Sequence, residues 1–203
     1  MRRSQDAFGR RARREGYPAR SVFKLRELQE RFRLIRPGAR ILDLGAAPGS
    51  WSLYCLETLK GRGRVVAVDL NELSIQPKAA AQGSELRFLK GDLFSAEIER
   101  QAAELGPYDL VLSDAAPRTS GASIVDSQRS LELAGRAFEL ACRLLKPGGN
   151  LVVKVFQGGE EATLLERIRG AFAKARALKP EASRSESREV YFLGMGKKLA
   201  EQI

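Results

Sequence analysis

With no histidine anywhere in its 203 residues, this chain must draw any general base from lysine, aspartate, glutamate, tyrosine or cysteine. Lys154 stands out. It sits inside the apolar run Leu151-Val152-Val153-Lys154-Val155-Phe156, where an ammonium left buried and unpaired would cost free energy. Desolvation or a neighbouring cation favours the neutral amine of such a lysine, which could then take a proton from a substrate hydroxyl. A lysine that snorkels to solvent at a strand end, or one held in a structural ion pair, fits the same pattern.

A base needs a reactant beside it, and the stretch Ile41-Leu42-Asp43-Leu44-Gly45-Ala46-Ala47-Pro48-Gly49-Ser50-Trp51 offers a place for one. The apolar run reads as a buried parallel strand, and the small residues after it let a ligand come close to the backbone. Gly45 and Gly49 permit backbone angles closed to other residues, and a helix starting near Gly49 turns its free N–H groups toward the ligand. The spacing is GxxxG rather than the GxGxxG of dinucleotide sites, and the GK[ST] ending of a phosphate-binding loop is missing. An adenosine ligand with little or no phosphate remains, which fits S-adenosyl-L-methionine. Asp69 closes the next apolar run, Arg64 to Asp69, 20 residues beyond Gly49, where an acid can accept hydrogen bonds from both ribose hydroxyls or simply cap the strand. Asp92, after the short run Leu86 to Leu89, can accept from an adenine amino group or cap the following helix.

The elements that position these groups alternate. Val22, Leu25, Leu28 and Phe32 recur at helical spacing, with Arg20, Lys24, Arg26 and Arg31 expected elsewhere on the surface; Pro37-Gly38 ends the helix before a strand at 39–44. Helix 49–59, strands 64–69, 86–89 and 108–113, helix 126–145, strand 150–156, helix 160–174, strand 175–178, a polar loop at 181–188 and strand 189–194 follow. This order predicts an α/β, doubly wound, mostly parallel sheet with helices on both faces and ligands at its carboxyl edge.

Charge divides the chain unevenly. Its net charge is +10, and residues 1–40 carry 13 Lys/Arg against 4 Asp/Glu, whereas 41–203 carry 22 against 21. The expected layout is a flexible basic arm over 1–16, without apolar periodicity, leading into one domain over 17–203, with the arm meeting a polyanion such as RNA or only aiding solubility. No apolar run approaches a membrane span, no signal peptide is recognisable, and Cys55 and Cys142 lack metal-site spacing. The expected protein is cytoplasmic and monomeric, with neither a metal nor a membrane among its partners.

Taken together, Lys24 in Ser-Val-Phe-Lys-Leu, the turn Asp-Leu-Gly-Ala-Ala-Pro-Gly-Ser-Trp, Asp114 in Ser-Asp-Ala-Ala-Pro, Lys154 in its strand and Glu189 in Ser-Arg-Glu-Val-Tyr resemble the FtsJ/RrmJ (RlmE) family of 2′-O-ribose RNA methyltransferases. The resemblance runs from about Tyr17 to the C-terminus. It implies a Rossmann-like, seven-stranded methyltransferase sheet and a tetrad of Lys24, Asp114, Lys154 and Glu189, with Lys154 as base toward a ribose 2′-hydroxyl. It also places Gly49, Trp51, Asp69, Asp92 and Asp114 at cofactor positions, although core packing would explain Trp51 equally well. Departures are Ser50 in place of a second glycine, Pro-Arg-Thr-Ser-Gly after Asp114 where Pro-Asn-Met-Ser-Gly is typical, and a longer 70–85 segment. The short chain favours a uridine of large-subunit (23S) ribosomal RNA as target; a transfer-RNA 2′-O-methyltransferase and a non-catalytic ribosome assembly factor are the rival readings.

Overall fold

A computed structural model describes residues 2–75, 83–117, 121–158, 160–183 and 187–199. Its seven strands are β1 (Arg40–Leu44), β2 (Arg64–Asp69), β3 (Glu85–Lys90), β4 (Tyr108–Ser113), β5 (Leu145–Phe156), β6 (Phe172–Leu178) and β7 (Glu189–Lys197). They form one sheet in the order β3-β2-β1-β4-β5-β7-β6. The pairings from β3 through β5 are parallel, while β7 runs antiparallel to both of its neighbours. The chain leaves β1 toward β2 and β3, then returns to β1's other side for β4 and β5. This reversal opens a crevice at the carboxyl ends of β1 and β4, where ligands bind in open α/β sheets.

The central strands are apolar on both faces because helices cover both. Leu42, Leu44, Val66, Val68, Val111 and Val153 pack with α4 (Ala96–Leu105), α5 (Ser123–Leu144) and α6 (Glu161–Ala171). On the other face, Ile41, Val65, Leu110 and Leu112 meet Leu25 and Leu28 of α2 (Val22–Phe32) and Leu56 and Leu59 of α3 (Ser50–Leu59). Burying each such side chain contributes about 1.5–3 kcal/mol relative to leaving it in water. Among the described residues no helix is long and apolar enough to cross a membrane.

Two expectations about the N-terminal region need correcting. Residues Arg2–Arg14 form a helix, α1, where no regular element is expected. Phe8 and Ala12 lie one turn apart and supply its inward face: the Phe8 ring lies 5.6 Å from that of Phe23, and Ala12 is buried beside Tyr17 and Leu53. The Arg11 guanidinium lies over Phe23, so arginine stems cover apolar surface on this short helix. Lys24 is not on the surface; it is buried at 8% exposure on the inward side of α2.

Other boundaries shift. α5 begins three residues earlier than expected and α6 ends at Ala171, because 172–174 join edge strand β6, paired to β7 over Phe172–Leu178. Residues 118–120 of the loop after Asp114, 76–82 of the long segment after β2 and 184–186 of the polar loop lie outside the described residues.

Candidate active site

The antiparallel direction of β7 builds the site. Because β7 starts at the edge where β5 ends, Glu189 pairs with Phe156 and Tyr191 with Lys154, so the first residues of the last strand reach the carboxyl edge of the parallel strands. Asp114 reaches the same edge as the first residue beyond β4. Lys154 Nζ donates to Asp114 twice, at 2.5 Å to the backbone carbonyl and 2.9 Å to Oδ1. Tyr191 Oη donates to the same Oδ1 at 2.7 Å. Lys24 Nζ lies 2.5 Å from Glu189 Oε1 and 5.8 Å from the centre of the Tyr191 ring. All four tetrad residues therefore converge, as two ion pairs joined through Tyr191.

This arrangement satisfies the buried charges of the tetrad. Lysines exposed by less than a tenth would be costly alone, and each has a carboxylate within bonding distance. Burial by itself would raise the Asp114 pKa, but the charges of Lys154 and Lys24 and the bond from Tyr191 outweigh it and hold the carboxyl below its usual range. Burial pushes the Tyr191 hydroxyl well up, and the neighbouring carboxylates push it further, so it remains a donor. Tyr191 is the site residue that sequence reasoning missed. Its signal is present, since a residue two beyond Glu189 faces the same side of the strand.

Ser50 explains how Lys24 is aimed. Its Oγ accepts the N–H of Ala19 at 2.7 Å, and the indole Nε1 of Trp51 donates to the carbonyl of Ser21 at 2.9 Å. Two hydrogen bonds from the start of α3 thus fix the segment entering α2, and Ser50, the departure from a second glycine, provides one of them. Trp51 is buried with its ring 5.8 Å from Tyr191. Gly49 takes φ +111° where α3 begins, and a Cβ there would lie 2.6 Å from Ile75.

Beside the tetrad, a groove of about 540 Å³ runs across the carboxyl ends of β1 to β4, lined by Gly45, Asp69, Asp92, Asp114 and neighbours including Leu70 and Phe94. It brings together four of the expected cofactor positions; Gly49 and Trp51 lie outside its lining. Gly45 takes φ +72°, and a Cβ there would come within 2.6 Å of Ala115, so only glycine lets the β1 turn approach β4's end this closely. Asp69 Oδ2 accepts the N–H of Ala47 at 2.9 Å, and Oδ1 accepts the backbone and side-chain N–H of Asn71. A carboxylate offers about four lone pairs, so accepting both hydroxyls of a ribose requires the Asn71 side chain to turn away. Asp92 Oδ1 accepts from Phe94 at 3.0 Å in a turn, and α4 starts beyond it at Ala96, with Ser95 before it.

Asp43, the acid of the glycine-rich turn, is fully buried. Its Oδ2 accepts from Ser52 Oγ at 2.6 Å, while Oδ1 has no partner among the described residues. Burial, with the charges of Asp114 and Asp69 adding to it against the Ser52 bond, raises its pKa to about 7. An unfolded aspartate titrates near 3.9, so between about pH 4 and pH 7 the folded state holds the extra proton and stability falls as pH rises. Asp43→Asn, neutral throughout, should gain relative to the wild type across that window by up to about 4 kcal/mol. Urea unfolding at pH 5 and pH 8 checks this; an unchanged difference between the two proteins would mean that Asp43 stays charged.

The sequence matches the FtsJ-like methyltransferase family over residues 17–197. The chain belongs to that family. This FtsJ-like methyltransferase is 47% identical over 190 residues to ribosomal RNA large subunit methyltransferase E of Treponema denticola, covering 94% of each chain. The corresponding protein of Sorangium cellulosum is 45% identical over 195 residues, covering 96% of this chain and 89% of that one. Among solved structures, a ribosomal RNA methyltransferase from Plasmodium falciparum superposes with a TM-score of 0.77 at 25% identity, covering 89% of this chain and 98% of that one. The fibrillarin pre-rRNA processing protein of Methanococcus jannaschii, at 16% identity and a TM-score of 0.54 over 82% and 70% of the two chains, shares the fold. Among the described residues of the FtsJ-like methyltransferase, no three His, Cys, Asp or Glu side chains are grouped to hold a metal ion.

Proposed function

We propose that this protein transfers the methyl group of S-adenosyl-L-methionine to a ribose 2′-oxygen of RNA, at a uridine of large-subunit (23S) ribosomal RNA, acting as a cytoplasmic monomer. The observation that carries the reading is the convergence of Lys154, Asp114, Lys24 and Glu189 at the sheet edge beside the groove. The names of its relatives and the basic first forty residues support the choice of substrate.

The groove fits the cofactor by its chemistry. Asp69 and Asp92, at the ends of adjacent strands, suit ribose hydroxyls and an adenine amino group; Asp114 suits a cationic methionyl end, and no lysine or arginine lines the groove to demand a phosphate. When bound, the cofactor supplies an electrophilic methyl group on a sulfonium. The chain's own residues do the rest. Lys154 accepts the 2′-hydroxyl proton, which requires its amine in the neutral form. Asp114 and Tyr191 hold Nζ in one place, so the acceptor oxygen and the base meet in a fixed geometry, the larger part of catalysis when a charge is being neutralised rather than created. Glu189 keeps Lys24 aimed at the same edge, where the pair orients the ribose.

The test is transfer from labelled cofactor to undermethylated large ribosomal subunits, free ribosomal RNA and transfer RNA in parallel, with the product nucleotide mapped. Label at a 2′-O-methyluridine of the large-subunit RNA is expected; label only in transfer RNA would move the enzyme to the rival substrate. Asp69→Ala should weaken cofactor binding roughly 10- to 100-fold by calorimetry, since charge-assisted ribose bonds disappear and the Ala47 turn loosens. Asp69→Asn, which keeps an acceptor at Ala47, should weaken it less. Wild-type affinity in Asp69→Ala would remove this carboxylate from the cofactor site.

A further inference from the structure

A second cavity, of about 210 Å³, is lined by Arg20, Ser21, Lys24, Ser187 and Glu189 and shares no lining residue with the cofactor groove. Lys24 and Glu189 neutralise each other across 2.5 Å, so the cavity's net charge is that of Arg20. Three segments meet at this guanidinium. Its Nη2 donates to the carbonyl of Ala182 at 2.9 Å, from the loop before β7, and its centre lies 5.3 Å from the middle of the Phe8 ring, on α1. A guanidinium has five N–H donors in a planar fork, so it can hold a carbonyl and a stacked ring, which fix its plane, and donate to an oxyanion as well. Ser21 and Ser187 add two hydroxyls to the same wall. This combination, concave, singly positive and rich in donors, suits a phosphate monoanion.

We infer that Arg20, with the hydroxyls of Ser21 and Ser187, forms a phosphate subsite that holds the phosphodiester adjoining the target ribose, and that α1 orients the subsite through Phe8. The inference rests on the proposed RNA 2′-O-methylation, in which the ribose meets Lys24 and Glu189 and brings a phosphodiester to the same cavity. Such a contact fixes the register of the strand without reading its bases. It gives α1 a second role, as a wall of the acceptor site.

The experiment measures methyl transfer to undermethylated large ribosomal subunits over a range of salt for Arg20→Ala, Arg20→Gln and Phe8→Ala, with cofactor affinity alongside. Without its charge-assisted bond to the phosphate, Arg20→Ala should raise the KM for subunits roughly 10- to 100-fold, with cofactor affinity unchanged. The salt dependence of log KM should become shallower by roughly 0.7 to 0.9. Arg20→Gln, whose amide can still donate to Ala182 without the charge, should show the same rise and decides the matter if the alanine variant misfolds. Phe8→Ala, with the charge intact, should raise KM less and keep the wild-type slope. Wild-type KM and slope in both Arg20 variants would overturn the subsite. A wild-type enzyme that methylates no RNA would instead sink the reading of function, and the subsite with it.

Discussion

Replacing Lys154 by alanine is expected to lower the rate of methyl transfer by roughly 10²- to 10⁴-fold, the range general-base catalysis contributes, with cofactor affinity unchanged because the base is needed only as the bond forms. The alanine variant also strips Asp114 of its nearest cation, so some loss of stability should accompany it. Lys154→Arg separates the two effects. A guanidinium can restore the ion pair with Asp114 and with it the melting temperature, yet it cannot take up a proton near neutral pH, so turnover should stay low. In the wild type, single-turnover rates should climb with pH, since only the neutral amine accepts a proton. Near-normal turnover by Lys154→Arg would place the base elsewhere and reduce Lys154 to a partner for Asp114.

Lys154 is conspicuous in the sequence because a charge interrupts an apolar strand, and the same logic makes β1, β2, β4 and β5 legible to within a few residues at most positions. Buried parallel strands must be apolar on both faces, so their runs are continuous. Edge strand β6 carries no such run: Ala173, Lys174, Arg176 and Ala177 are exposed, and its pairing with β7 decides a stretch whose local sequence continues a helix. The convergence of the tetrad is not legible from spacing, because it depends on β7 running antiparallel between β5 and β6. Only the resemblance of the motifs connects Lys24 to Glu189, 165 residues away. The position of Lys24 escapes sequence reasoning for a local reason, since a lysine on a helix reads as solvent-facing until its buried carboxylate is known.

The N-terminal helix is hidden by its arginines. Phe8 and Ala12 are too few to register as an amphipathic pattern, yet they suffice when Phe23, Tyr17 and Leu53 provide the other side of the interface. The docked helix alters what truncation should do. Deleting residues 2–14 removes Arg2, Arg3, Arg10, Arg11, Arg13 and Arg14, and it also uncovers Phe23 and takes Phe8 from Arg20. RNA affinity should fall, and log affinity against log salt should become shallower by roughly 0.7 to 0.9 for each phosphate left without its arginine, up to roughly 4 to 5 if all six arginines engage. Replacing the exposed Arg10, Arg13 and Arg14 by alanine leaves Phe8 and Ala12 in place, so the helix should stay docked and the slope should change by no more than roughly half as much. Cofactor affinity should hold in both variants, because no residue of α1 lines the groove. Equal affinity and equal salt slope with and without the helix would confine RNA recognition to residues 17–203 and leave α1 as a cover for Phe23.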